Sequence, residues 1–176
     1  MKYQIRTKHE RLLADTTTPV AIYLRLRDIY PTSLLLESSE YHSRDNNISY
    51  ICCQPIAGIR LDRDFLDIWF PDGQGSSRKP AEHIQLKQEV QAFRQAFKTD
   101  PTLDPKLKVI PNGLFGYLTF DCIPHFEDLE LKSEQQTGRE IPLMQYHIYR
   151  YVIAIDHFHN EMHLFEHSVS ADEESE

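Results

Sequence analysis

Glu37 closes the run Leu34-Leu35-Leu36 with a carboxylate, and Ser38 follows it with a hydroxyl. A charge surrounded by apolar groups must find a partner or give up its ionisation. Two readings stay open. In one, the strand end emerges into solvent and Ser38 and Ser39 begin a turn. In the other, Glu37 and Ser38 line a small polar site at the rim of an apolar pocket. Such a site suits a ligand that carries an ammonium or N–H donor on a hydrophobic body.

The other chemistry-bearing residues assemble no complete active site. His157, His159, Glu161, His163 and Glu166 suggest metal ligation, but alternation along a hairpin sends these side chains in different directions. A solvated hairpin face is the simpler reading, so no metal site is expected. Cys52 and Cys53 are adjacent, so in a strand they face opposite ways and cannot work as a Cys-x-x-Cys pair. Cys122 stands beside Asp121, an acidic setting that should raise its pKa and blunt it as a nucleophile. Gly113 and Gly116 lack the Lys-Ser/Thr ending of a phosphate loop and the third glycine of a dinucleotide fingerprint. Gly-x-Ser-x-Gly is absent.

The 176 residues are 40% apolar and 26% charged, with a net charge of -8. That length fits one domain with a sizeable core of its own. An acidic balance disfavours nucleic-acid backbones and anionic membranes. No apolar run approaches the ~20 residues that cross a bilayer, and Met1-Lys2-Tyr3-Gln4-Ile5-Arg6 is not of signal-peptide type. A cytoplasmic location and reduced thiols are expected.

The elements that must position these residues follow from periodicity and punctuation. Tyr3 to Arg11 reads as a strand. Thr18 suits an N-cap and Pro19 the first helical position, and the apolar spacing of Ile22, Tyr23, Leu26 and Ile29 predicts a helix from Pro19 to about Tyr30. Ser33 to Ser38 is a short buried strand, and Asp45-Asn46-Asn47 turns the chain into a second strand, Ile48 to Cys53, giving a hairpin. Pro55 to Leu61 and Asp64 to Phe70 are further strands, and Pro71 to Ser77 is a surface loop. Pro80 to Lys98 has helical spacing through Ile84, Val90, Phe93 and Phe97. Thr99 to Lys108 is a linker. Val109 to Asp121 is a glycine-punctuated strand region, where glycine marks close backbone approach. Asp121 to Glu140 combines a helical turn with an exposed loop. Gln145 to Asp156 and Glu161 to Ser168 form a second hairpin around His157-Phe158-His159-Asn160. Sequential hairpins rather than strict alternation predict an α+β fold, with antiparallel β-sheets packed against two to three helices. One domain over residues 1–168 and an acidic tail over 169–176 are expected.

Several segments, in order, resemble the N-terminal domain of anthranilate synthase component I. They are Thr18-Pro19-Val20, Leu35-Leu36-Glu37-Ser38, Ser49-Tyr50-Ile51, Gly113-Leu114-Phe115-Gly116-Tyr117 with Phe120-Asp121, and Tyr151-Val152-Ile153-Ala154-Ile155-Asp156. The resemblance implies an enzyme that converts chorismate and ammonia to anthranilate and pyruvate with magnesium. Its ammonia comes from glutamine through a glutamine amidotransferase subunit, component II. It also implies that Leu36, Glu37 and Ser38, with Pro19 and Ser49, help bind tryptophan as feedback inhibitor.

The family's C-terminal chorismate-binding domain, with its catalytic and magnesium-binding residues, has no counterpart in the sequence. The chain is therefore expected to be a fragment, to lack synthase activity and a cofactor of its own, and to hold an incomplete tryptophan site. Two alternatives accompany this reading: the related N-terminal domain of aminodeoxychorismate synthase component I, and a free-standing amino-acid-binding or assembly module.

Overall fold

A computed structural model describes residues 2–38, 47–79, 86–99, 104, 106–126 and 141–171. The expected turn at Tyr41 to Asn47 falls mostly outside them, as do the beginning of the Pro80 helix, part of the Thr99 to Lys108 linker, the loop after Phe126 and most of the acidic tail. The fold is α+β, built on one mostly antiparallel sheet.

The strands are β1 (Tyr3–Leu13), β2 (Leu34–Leu36), β3 (Ile48–Leu61), β4 (Leu66–Trp69), β5 (Gly75–Arg78), β6 (Phe97–Thr99), β7 (Phe115–Leu118), β8 (Met144–Asp156) and β9 (Glu161–Ala171). Along the sheet they run β5-β4-β3-β8-β9-β1-β6, with β2 added to β3 and β7 to β8. Both expected hairpin pairings form: Leu34 opposes Cys52 in the first, and Asp156 opposes Glu161 in the second. The parallel pairing of β6 with Tyr3, Gln4 and Ile5 is the exception to antiparallel order.

Some expected boundaries move, each for a local reason. Ile48 to Cys53 and Pro55 to Leu61 are one strand, not two, because the interruption at Gln54-Pro55 is a β-bulge. Gln54 sits at φ 58 and the register against β8 shifts between Pro55 and Ala57. Proline has no N–H for the ladder, and a bulge is where a sheet tolerates it. The Pro71 to Ser77 loop gives way to strand β5 at Gly75; its residues are all exposed and polar, so no alternation announces it. Phe97 leaves the helix and enters β6, while Val109 to Leu114 lies outside the strand β7.

Helix α1 (Pro19–Leu26) begins as its capping residues predict, with Thr18 Oγ1 accepting the Ala21 N–H at 3.1 Å. It stops short of Tyr30. The Ile29 and Tyr30 N–H groups both turn back to the Leu26 carbonyl, Pro31 disfavours helical geometry at the residue before it, and Ile29 is 68% exposed rather than on the packed stripe. Helix α2 (Leu86–Gln95) packs Leu86, Val90 and Phe93 on the core. A 3-10 helix over Phe120–His125 supplies the expected helical turn.

Alternation along β3 divides the interior. Ile51 and Cys53 face α1 together with Ala14 and Ile155, whereas Cys52 packs with Val109, Phe115, Val152 and Phe165 on the opposite side. Ala57, Ile59 and Leu61 continue into a third cluster under α2, with Leu66, Phe93, Met144 and Ile148. Side-chain hydrogen bonds tie β1 to β9: Thr7 Oγ1 lies 2.9 Å from His167 Nδ1, and His9 Nε2 lies 3.0 Å from His163 Nδ1.

Candidate functional site

Pro19, Leu36, Glu37, Ser38 and Ser49 lie on three adjoining elements. Ile22, Tyr23 and Leu26 of α1 pack against Ile51 and Cys53 of β3 and Leu35 of β2. The β2–β3 ladder ends with Leu36 opposite Tyr50, and continuing that register by one step sets Glu37 opposite Ser49. By alternation both belong to the α1 side of the sheet, with Leu35 and Ile51.

Their surroundings differ. Pro19 is buried at the start of α1. Ser49 is 1% exposed, and its Oγ lies 2.8 Å from His157 Nε2, so its hydroxyl already has a partner within the chain. Leu36 is at the margin of exposure, Ser38 is half-buried and Glu37 is exposed. The expected buried strand is thus a half-buried edge that opens outward at its end. Of the two readings for Glu37, its position matches the one in which the strand emerges into solvent.

Two cavities among the described residues lie elsewhere. One of about 370 Å³ flanks α1 over the sheet; Leu26, Tyr30, Cys53, Tyr151, Ile153 and Leu164 line it, with Lys8, Glu10 and Glu166 at its rim. Another of about 390 Å³ lies between β1, the end of α2 and residues 112–114, with Arg94 and Asn112 beside Ile5 and Ile148. Neither is lined by any of the five residues expected to bind an effector.

The candidate reactive groups are committed to structure. Burial pushes the Cys53 and Cys122 thiols up to about 11, and Cys52 still further. At neutral pH all three stay protonated and unreactive. For Cys122 the cause is burial rather than the acidic neighbours the sequence suggests. His159 Nδ1 pairs with Asp156 Oδ2 at 2.8 Å, and Asp156 Oδ1 also accepts the Phe158 and His159 N–H groups. Burial opposes ionisation of Asp156, but these donors outweigh it and hold its pKa below the usual carboxylate value. Among the described residues, no three His, Cys, Asp or Glu side chains converge to share a metal ion.

Sequence reasoning missed the role of His157, which binds Ser49 across the sheet instead of serving as a plain hairpin residue. It also missed the cavity beside α1. A signal for the cavity existed in the alternation of Tyr151 and Ile153 with Leu164, more apolar surface than an eight-residue helix covers.

Geometry therefore defines an α+β unit whose described side chains form a packed sheet with an open corner at the end of β2. No family model matches the chain. Along most of its length, however, it is similar to anthranilate synthase component 1 of several bacteria. It is 26% identical over 148 residues to the protein of Aquifex aeolicus, covering 84% of this chain and 27% of that one. It is 27% identical over 161 residues to that of Thermus thermophilus, covering 92% and 32%. For Lactococcus lactis the figures are 27% over 150 residues, 85% and 30%. The chain thus spans about a third or less of the length of these relatives. The resemblance read from the Leu-Leu-Glu-Ser and Gly-Leu-Phe-Gly-Tyr segments is borne out.

Proposed function

We propose that this chain is the tryptophan-sensing N-terminal domain of an anthranilate synthase component I, a cytoplasmic enzyme of tryptophan synthesis. The complete enzyme converts chorismate and ammonia, delivered from glutamine by component II, to anthranilate and pyruvate. Catalysis belongs to the part of the relatives that this chain does not span. Magnesium, which the resemblance implies for that enzyme, meets no three-ligand cluster among the described residues, and no step is assigned to it in this chain.

The observation that carries the reading is the similarity to component 1 proteins, which reaches 168 residues and 95% of this chain for Acinetobacter calcoaceticus. The corner geometry is compatible with it. Glu37 projects from a strand end and Ser38 is half-buried beside it, so the site is open on one side and a second domain would complete it. Tryptophan binding between the two domains would favour one arrangement of them, which is what inhibition of a distant active site requires.

The test is made in the complete enzyme with component II, chorismate and glutamine. Glu37→Ala or Ser38→Phe is expected to raise the tryptophan concentration for half-inhibition about tenfold or more, the effect of a coupling of ~1–3 kcal/mol. Turnover without tryptophan should change little. Inhibition as strong as in the wild type would remove the site assignment. A product other than anthranilate would replace the enzyme, and anthranilate formed from chorismate and ammonium by this chain alone would remove the division of labour.

A further inference from the structure

The cavity beside α1 has an apolar floor and a charged wall, and strand register sets both. Lys8 opposes Glu166, which in turn opposes Tyr151; two residues along, Glu10 opposes Leu164, which opposes Ile153. All six line the space of about 370 Å³, and Leu26 and Tyr30 close it from the helix side. Leu164, Ile153, Tyr151 and Tyr30 are only half-buried, so apolar surface stays available there. A space of this size falls within the roughly 300–1,000 Å³ of small-molecule sites, whose pattern is apolar lining with few polar groups.

The charges on its wall are unequally committed. Arg150 holds Glu166 at 3.2 Å and lies 5.4 Å from the centre of the Tyr151 ring, so that pair neutralises itself. Among the described residues, Lys8 and Glu10 make no ion pair, and both are exposed. One cation and one anion therefore stand on the same face of β1, with Cα positions about 6.6–6.8 Å apart. A ligand with one net charge would answer one of them and set a like charge beside the other. A ligand that carries an ammonium and a carboxylate on one carbon answers both.

From this pattern we infer that the cavity binds an α-amino acid with an aromatic side chain. Its carboxylate pairs with Lys8 and its ammonium with Glu10, while its ring lies on Leu164 and Ile153. Tyr30 and Tyr151 complete the fit. Their ring centres are 6.4 Å apart at an interplanar angle of 55°, an arrangement that offers a third ring both a face and an edge. The site is separate from the corner at the end of β2, since none of Pro19, Leu36, Glu37, Ser38 and Ser49 lines it.

The experiment is an NMR titration of the full chain, read at the methyl groups of Ile153 and Leu164. The probes are L-phenylalanine, 3-phenylpropionate, which lacks the ammonium, and phenethylamine, which lacks the carboxylate. L-Phenylalanine is expected to shift both methyl signals saturably, and each analogue should bind about fivefold more weakly, the upper value for an exposed ion pair. Lys8→Gln should weaken L-phenylalanine and 3-phenylpropionate by a similar factor and leave phenethylamine unchanged. Glu10→Gln should weaken L-phenylalanine and phenethylamine and leave 3-phenylpropionate unchanged. Leu164→Trp, which fills the floor, should abolish binding of all three. Both glutamine variants alter exposed side chains, so their result holds even if Leu164→Trp disturbs the sheet. No saturable shift with L-phenylalanine, equal affinity for the three probes, or charge variants without the selective losses would each overturn the proposal. Tryptophan inhibition of the complete enzyme does not enter this readout, so either site can fail without the other.

Discussion

Ser49 Oγ and His157 Nε2 meet at 2.8 Å across the corner where β3 begins and β8 ends. The His157 N–H also donates to the Asn47 carbonyl at 3.1 Å, so one residue closes the sheet by its ring and its backbone. The bond is the polar element of a corner otherwise held by α1, Ile51, Cys53 and Ile155. It orders Ser49 next to the end of β2, from which Glu37 projects.

Ser49→Ala should cost about 1 kcal/mol of stability, the net value of one intramolecular hydrogen bond, and urea unfolding at neutral pH measures it. His157→Ala should cost at least as much, because it leaves the buried Ser49 hydroxyl without its partner, whereas Ser49→Ala leaves only the exposed His157 ring, which water can satisfy. Equal stability of Ser49→Ala and wild type would mean that the bond contributes nothing net.

Asp156 organises the β8–β9 turn by accepting two backbone N–H groups and pairing with His159, while Asn160 takes the left-handed conformation at φ 52. Asp156→Ala should destabilise the chain by about 2 kcal/mol at pH 7, a typical value for hydrogen bonds to a charged group. The carboxylate's pKa is lowered in the fold. Its contribution is therefore present above the unfolded-state value of about 3.9 and disappears as the pH falls through the lower folded-state value. Unfolding free energies of wild type and variant should begin to converge below about pH 4 and meet once the pH has passed the folded-state value, and a gap that did not narrow on acidification would refute the assignment.

The architecture was legible wherever burial imposed a period. Strands β3, β8 and β9, the hairpin turn at His157, and the α1 cap at Thr18 and Pro19 all follow from apolar alternation or capping chemistry. The opposed placement of Cys52 and Cys53 did too. What escaped lacks such a signature. β5 is polar and wholly exposed, β6 begins one turn after Phe93 and so imitates the helix stripe, and Pro55 reads as a strand break although a bulge absorbs it. At the candidate corner the sequence places Leu36, Glu37 and Ser49 on neighbouring strands. It gives no sign that Ser49 is already hydrogen-bonded, because His157 is distant in sequence and its partner depends on register.

Gly116 illustrates a position fixed by backbone approach. A Cβ built there would overlap the Gln145 carbonyl and the Tyr146 Cα of β8, the strand against which β7 pairs. Backbone cannot rotate aside as a side chain can, so Gly116→Ala should cost about 2–3 kcal/mol through strain or local loss of pairing. Gly113 has open space around it, with Ile110 Cγ2 at 3.8 Å, and Gly113→Ala should be near neutral. Thermal unfolding of both variants distinguishes them, and equal effects would refute the close approach.

His147 gives the clearest pH dependence. It is buried against Trp69, its Nδ1 lies 3.1 Å from the Tyr149 hydroxyl, and burial pushes its pKa down to about 4. Between the unfolded value near 6.5 and that folded value, the unfolded chain binds a proton that the folded chain refuses. Stability is therefore undiminished by this residue above about pH 6.5. It falls on acidification, by at most ~1.4 kcal/mol per pH unit for one such group. His163 and His167 are shifted in the same direction, first of all by burial, and add to the slope. His147→Gln retains a polar partner for Tyr149 and removes the titration, so its stability should decline less steeply between pH 6.5 and 4. Proton NMR provides the direct check: the His147 ring signals should stay in the neutral form down to about pH 5, and a midpoint near 6.5 would show that the ring is solvated instead of packed under Trp69.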